Sequence, residues 1–369
     1  MKKLYFLLFI IGITFSGNSQ PWLNDLVICQ SSDGLTFTNQ TTFVDSSGVP
    51  SLVMDTNGVL YCAFQWFQPP IMTGPHFDKI AVKKSTDGGL TWTTPVLAVF
   101  NGIGTYTRPF DPTLVLTDNG MIRMYFTSSI TGNTILDTTI HTYSAISSDG
   151  VNYTWEPGIR VLVADSINID PAVVKFNGLW HYTAPRGAPQ AGAFHFTSTD
   201  GLNFVRTTNV ASDASHNWTG NLLTDGSLMK FYGHGGLGIW SNSTADGSAW
   251  NGYQPTNVTG GDPAVIKVNS SLYYMVYVGT VPPASVSEFS FETNTSVFPN
   301  PTSEEINFKL LAGEKIIEGE VYDYAGKKVF SFYDSDHLKF PAEVESGIYF
   351  VKVKTGERSF CCKVMMERD

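Results

Sequence analysis

From Val49 to Gly279 apolar and polar residues alternate with a period of two in short runs, and no stretch of useful length shows helical periodicity. The runs recur as one pattern: a strand opening near a proline, a tight turn, a second strand, a loop, a third strand, then an Asp-Gly turn closing on an aromatic. The first unit runs from VPSLVMDTNGVLYCAFQW (Val49 to Trp66) to KKSTDGGLTW (Lys83 to Trp92), and the second from DPTLVLTDNGMIRMYFTS (Asp111 to Ser128) to SSDGVNYTW (Ser147 to Trp155). The third joins DPAVVKFNGLWHYTAPRG (Asp170 to Gly187) to TSTDGLNF (Thr197 to Phe204), and the fourth NWTGNLLTDGSLMKFYGHGG (Asn217 to Gly236) to STADGSAW (Ser243 to Trp250). The fifth, DPAVIKVNSSLYYMVYVG (Asp262 to Gly279), lacks its Asp-Gly half. That half stands near the start of the chain as LVICQSSDGLTF (Leu26 to Phe37).

Units of this length, rich in Val, Ile, Tyr and Phe and carrying Asn-Gly or Asp-Gly hairpin turns, predict four-stranded blades. An all-β five-bladed β-propeller over residues 20–285 follows, its N-terminal strand paired into the last blade so that no edge is left open. Residues 286–296 are Ser/Thr-rich and read as a linker. Beyond them VFPNPTSEEINFKL (Val297 to Leu310), VYDYAGKKVFSF (Val321 to Phe332) and VESGIYFVKVKTGERSFCCKVM (Val344 to Met365) alternate again and predict a small C-terminal Ig-like sandwich over residues 297–369.

Charge sharpens that boundary. Residues 1 to 296 hold 13 Lys+Arg and 20 Asp+Glu, and the last 73 residues hold 10 and 13, so the tail is far denser in charge. Over the 369 residues, 42% are hydrophobic and 15% charged, with a net charge of −10 and no basic patch interleaved with aromatics, which speaks against nucleic acid as a partner. Lys2 and Lys3 precede an apolar run from Leu4 to Phe15 and small residues at Gly17 and Ser19, predicting a signal peptide over residues 1–19. No stretch is long enough to predict a transmembrane helix. Cys29, Cys62, Cys361 and Cys362 form no metal spacing and are expected to be buried free thiols.

Candidate chemistry lies at the channel mouth. Aligning the units sets Val49, Asp111, Asp170, Asn217 and Asp262 at one axial position each, and carboxylates held together there would raise one another's pKa, as an acid/base set requires. An Asp-Pro step also simply starts an inner strand. Trp66, Arg108, Arg186, His216, Trp218 and His234, with Asn217, are expected on the same face as substrate-binding groups, Trp66 and Trp218 for stacking on sugar rings. Packing between blades is the alternative for the tryptophans. Glu156, the one Glu of the repeats, is expected away from the funnel. No metal triad is predicted, and a structural cation in the channel stays open.

The Ser-x-Asp-Gly-x-x-aromatic turns resemble the Asp boxes of sialidases and related propellers, a turn motif rather than a catalytic one. Inner strands opening with Asp-Pro in a five-bladed propeller look like furanosidase-type glycoside hydrolases such as arabinanases, β-xylosidases and invertases. By that resemblance Asp111, Asp170 and Asp262 would serve as base or nucleophile, general acid and pKa modulator, on an extracellular poly- or oligosaccharide. Arabinanase-like members place a Glu on an inner strand as acid, and no axial position here is Glu. A non-catalytic propeller binding glycans or surface partners is the second reading and a sialidase-like enzyme the third, so whether the chain is an enzyme stays open. The tail, with its Pro-Asn-Pro opening, central Asp-x-x-Gly-Lys hairpin and Gly-x-Tyr-x-Val-Lys-Val close, resembles the C-terminal sorting domain of type IX secretion substrates in Bacteroidota. That resemblance implies export across the outer membrane, with the secretion machinery as partner, and release or surface attachment.

Overall fold

The computed structural model describes residues 24–104, 109–129, 140–164, 166–281, 297–311, 313–356 and 359–368. The expected signal peptide and linker lie outside them. The described chain is all-β, its helical content one 3₁₀ turn at Pro189–Ala191, and no described helix is long and apolar enough to cross a membrane. It divides into two compact units, Met1–Pro282 and Pro283–Asp369.

In the first unit, antiparallel sheets follow the sequence repeats. The first comprises Ser47–Met54, Leu60–Trp66, Lys79–Ser85 and Val96–Leu97. The second comprises Phe110–Leu116, Ile122–Ser128, His141–Ser147 and Asn152–Val161, with Val99–Asn101 added in parallel. Ala172–Phe176, Leu179–Pro185, Ala193–Ser198 and Val205–Arg206 make the third, and Asn217–Asp225, Leu228–Gly235, Gly238–Thr244 and Gln254–Pro255 the fourth. The fifth takes Gly261–Asn269 and Leu272–Gly279 from the end of the unit and Asp25–Ser31 and Phe37–Val44 from its beginning, with Asp25 opposite Gly279 and Ser31 opposite Tyr273. The opening strand of each sheet packs against that of the next, and the fifth packs against the first.

Apolar side chains between neighbouring sheets form the core. The Asp-Gly turns fasten the sheets to one another. In the turn after Asp25–Ser31, Ser31 Oγ accepts the Gly34 N–H at 2.9 Å, and Asp33 Oδ1 accepts those of Leu35 and Thr36 at 2.8 Å each, which lowers the Asp33 carboxyl to about 2. The same bonding recurs at Asp149, Asp200 and Asp246, while Asp87 accepts the Thr91 N–H at 2.9 Å and the Ser85 hydroxyl at 2.8 Å. A side chain of the preceding sheet lies over each turn glycine: Tyr61 on Gly150, Arg123 on Gly201, His181 on Gly247, Tyr232 on Gly34 and Tyr274 on Gly89. A Cβ at any of these glycines would sit inside van der Waals contact with that side chain.

The second unit has one sheet of Val297–Phe298, Glu305–Phe308 and His337–Lys339, and another in the order Lys328–Tyr333, Ile316–Asp323, Gly347–Thr355, Ser359–Met366. Ile306, Val321, Val351, Val353, Phe340 and Val364 belong to their common core. All four cysteines are free; Cys29, Cys62 and Cys362 are buried and Cys361 half-buried.

Candidate functional site

Three of the inner strands break step with their partners at the same point. Phe110 faces Thr127 and Thr113 faces Tyr125, so Asp111 and Pro112 share the space of one residue, and the same bulge holds Val49-Pro50 and Asp262-Pro263. Asp111, Asp170, Asp262 and Val49 have φ of +51°, +54°, +43° and +48°, each before a proline. Proline disfavours the right-handed helical region in its predecessor. Val49 adopts the same left-handed backbone as the aspartates, so the carboxylate does not set that conformation, which costs on the order of 1 to 3 kcal/mol per non-glycine residue. Asp170, just ahead of its strand, and Asp262, in its bulge, both line a single small cavity of about 20 Å³, enough for about one water.

The fourth strand departs from the expected register. Asn217 faces His234 and Gly220 faces Gly233, so two residues are inserted rather than one, and Thr219, Gly220 and Asn221 line the cavity. Asn217 is thus not the axial residue; Thr219 takes its place. This unit has no proline to mark the register. The alignment Thr-Gly-Asn with Asp-Pro-Thr and Val-Pro-Ser carries the signal that could have found it.

Hydrogen bonds tie the ring together. Asp111 is 7% exposed; its Oδ2 accepts from Thr127 Oγ1 at 3.0 Å and from the Asp170 N–H at 3.2 Å, and its own N–H donates to Gln65 Oε1 at 3.2 Å. Gln65 in turn donates to Asp78 at 2.9 Å. The Asp262 N–H donates to His234 Nδ1 at 3.2 Å, while Asp262 Oδ1 lies 3.6 Å from the same nitrogen. Burial raises all three carboxyls. Asp111 is pushed up to about 6, with its two hydrogen bonds opposing the shift and the Asp262 charge adding to it. Asp170 is raised well above the carboxylate range, by burial and then by the charges of Asp111 and Asp262. Asp262, its side chain 31% exposed, is raised by burial and pulled back by His234. A protonated acid beside an ionisable base is what this arrangement can offer chemically.

The remaining candidates separate. His234 stands at Asp262, and Asn217 Nδ2 lies 3.5 Å from His234 Nε2. Trp218 is 1% exposed and enclosed by Phe231, Trp240 and Trp250 at 4.5, 5.4 and 4.9 Å, so it is a core residue with no face open to a sugar. Trp66, 7% exposed, has one face stacked on His76 at 4.7 Å and serves packing likewise. His216 is bonded to Asp213 at 2.7 Å and stacked on Tyr253 at 3.6 Å. Arg186 is exposed and donates to the Ala191 carbonyl at 2.9 Å. Arg108 lies outside the described residues. Gln65 and Thr127 join the ring through Asp111; the sequence signal for them is a polar residue near the end of an otherwise apolar second strand. Glu156 lies on the outer strand Asn152–Val161, bonded twice to Arg123 at 2.8 Å and to Ser144 at 2.7 Å. Among the described residues no three His, Cys, Asp or Glu side chains converge as a metal site would require.

No curated protein matches the chain in sequence. Among solved structures it is similar to a protein of unknown function from Dyadobacter fermentans (15% identity, TM-score 0.48, 68% of this chain and 83% of that one). It is also similar to an α-L-arabinofuranosidase from Clostridium thermocellum (14%, TM-score 0.47, 80% and 96%) and to a β-fructofuranosidase from Bombyx mori (13%, TM-score 0.48, 95% and 90%). Residues 296–367 match the family model described as the secretion system C-terminal sorting domain. The second unit is therefore a type IX sorting domain, and it directs the chain to the secreted or cell-surface state.

Proposed function

We propose that residues 20–285 form a five-bladed β-propeller closed by its N-terminal strand, flanked by a signal peptide at 1–19 and, after a linker at 286–296, by an Ig-like sorting domain at 297–369. The propeller is a secreted glycoside hydrolase-like enzyme acting on extracellular poly- or oligosaccharide. One observation carries the reading: aspartates at the same place before a proline in three of the five sheets, all with left-handed backbone, lie within reach of one another's charge, and burial raises every one of their carboxyls.

Asp170, the most strongly raised, is the carboxyl that holds its proton best and delivers it to the departing glycosidic oxygen as general acid, in the role a Glu would otherwise fill. Asp262, more exposed and next to His234, either attacks the anomeric carbon as nucleophile or, as base, takes the proton of the water that attacks it. Asp111, whose Oδ2 accepts the Asp170 N–H, holds Asp170 in place and adds the charge that keeps it protonated. His234 and the exposed Arg186 are the substrate-binding groups this reading retains.

The test is product release from plant, algal and host glycans by the purified full chain, beside Asp111→Asn, Asp170→Asn and Asp262→Asn. Turnover by the wild type that is lost in at least two folded variants is the expected result. Turnover that survives all three would remove the aspartates from the mechanism.

A second reading, a glycan-binding propeller without catalysis, draws on the hydrogen bonds that already engage Asp111 and on the small size of the cavity. Glycan retention without turnover would favour it. The sialidase-like reading is the weakest, since Arg123 is committed to Glu156 and Arg160 to the Glu156 and Gly158 carbonyls.

A further inference from the structure

Two departures from the repeat meet at one seam. Four of the Asp-Gly turns reach their aromatic six residues after the leading Ser or Thr, as in Ser31 to Phe37 and Thr244 to Trp250. The turn of the first sheet takes seven, from Ser85 to Trp92, with Gly89 as the added residue. The Gly89 N–H accordingly reaches Ser85 Oγ at 2.8 Å, the bond that Gly34 makes one position earlier in its own turn. Across the seam the outer strand Phe37–Val44 extends for eight residues where three other sheets have two. It is also bulged, with Ile28 facing Thr41, Gln30 facing Thr38 and Asn39 left-handed at φ +56°. Insertions against a repeat tend to mark a binding face.

Between these two features lies a groove of about 330 Å³ that shares no lining residue with the aspartate cavity. Its lining includes the amides and hydroxyls of Gln30, Asn39, Thr41 and Thr42 together with the half-buried Trp92, edge-to-face with Phe43 at 5.1 Å, and Leu90, which is 81% exposed. The lining contains no carboxylate. Its one cation, Lys83, is turned inward, donating to the Phe43 carbonyl at 2.8 Å and lying 4.2 Å from the Phe43 ring centre. A surface that pairs an aromatic plane with neutral hydrogen-bonding groups, in a protein of net charge −10, suits a ligand that has hydroxyls and apolar C–H faces but no charge.

We propose that this groove is a second carbohydrate-binding site, specific for an uncharged oligosaccharide, which holds a polysaccharide chain at the seam of the first and fifth sheets independently of the aspartate ring. The test is affinity electrophoresis of the full chain in gels carrying arabinan, xylan, β-1,3-glucan or agarose, with alginate and polygalacturonate as charged comparisons. Binding is read in the Asp170→Asn background, so that the outcome does not depend on whether the propeller hydrolyses anything.

At least one neutral glycan is expected to retard that protein. Trp92→Ala should weaken the retardation by about tenfold or more. Thr41→Arg should do the same by filling the groove from an exposed strand position, so that a folding defect in Trp92→Ala does not decide the matter. Retardation by charged glycans alone, by none of the neutral ones, or to the same extent in Thr41→Arg would overturn the proposal.

Discussion

His181 and His195 pack as a buried pair in the third sheet, 4% and 5% exposed, with 3.1 Å between Nδ1 and Nε2 and the rings stacked at 5.4 Å. Burial lowers both, His195 to about 4 with the His181 charge adding to the effect. A histidine depressed in the folded state contributes full stability above its unfolded pKa of 6.5 and loses it as the pH falls toward the folded value. Between pH 7 and pH 5 the His195 shift corresponds to a loss of about 2 kcal/mol. The aspartate ring works in the opposite direction: Asp111, raised from 3.8 to about 6, binds its proton more tightly in the folded state and gains about 1 kcal/mol over the same interval. Asp170 and Asp262, raised as well, add to that gain, so the two sets of groups oppose one another and must be separated. His195→Gln does so, because it removes one titration and leaves the carboxylates untouched. All eight tryptophans precede the sorting domain, so urea unfolding followed by tryptophan fluorescence reports on the first unit alone. The difference in stability between wild type and His195→Gln should shift by about 2 kcal/mol toward the variant when the pH drops from 7 to 5. A difference that stays constant with pH would refute the reasoning.

Two further outcomes rest on packing. Glu156→Gln leaves the Arg123 guanidinium, 8% exposed, without its counter-charge, and should cost about 3 to 5 kcal/mol in the same unfolding assay. Gly247→Ala and Gly58→Ala both place a Cβ on a backbone with φ of +80°, but only the first meets a neighbour, the His181 ring. Each should lose about 1 to 2 kcal/mol for the left-handed backbone, and Gly247→Ala measurably more; equal losses would show that the ring over the turn contributes nothing.

What the sequence discloses depends on how local the physics is. The Asp-Gly turns are legible because Ser, Asp and Gly within a few residues make all the bonds of the turn themselves. The all-β character follows from a period of two that no tertiary contact has to supply. Asp111, Asp170 and Asp262 stand out because each is followed by the proline that opens an inner strand. Asn217 misleads because its strand has no such mark, and a register error of two residues keeps a side chain on the same face of a strand and so leaves no trace in the alternation. Trp66 and Trp218 mislead for a different reason: an aromatic at a strand end fits a ligand face and a neighbouring sheet equally well, and only the positions of His76, Phe231 and Trp250 decide which it meets. Gln65 and Thr127 act on a carboxylate that is distant or unmarked in sequence, and the groove at Trp92 is made by two sheets whose strands lie far apart in the chain.

The pairing of Asp25–Ser31 with Leu272–Gly279 imposes an order of events. Cys29, among the first described residues, meets Met275 across 246 positions, so the strand made earliest must wait unpaired until nearly all of the first unit has emerged. Contacts of such separation form slowly. Until that pairing forms, the fifth sheet lacks two of its four strands and the first unit lacks the contact that joins its two ends. Loss of a few residues from either end of the first unit would reopen the same seam, which makes that junction the place where a protease or a truncation does the most damage.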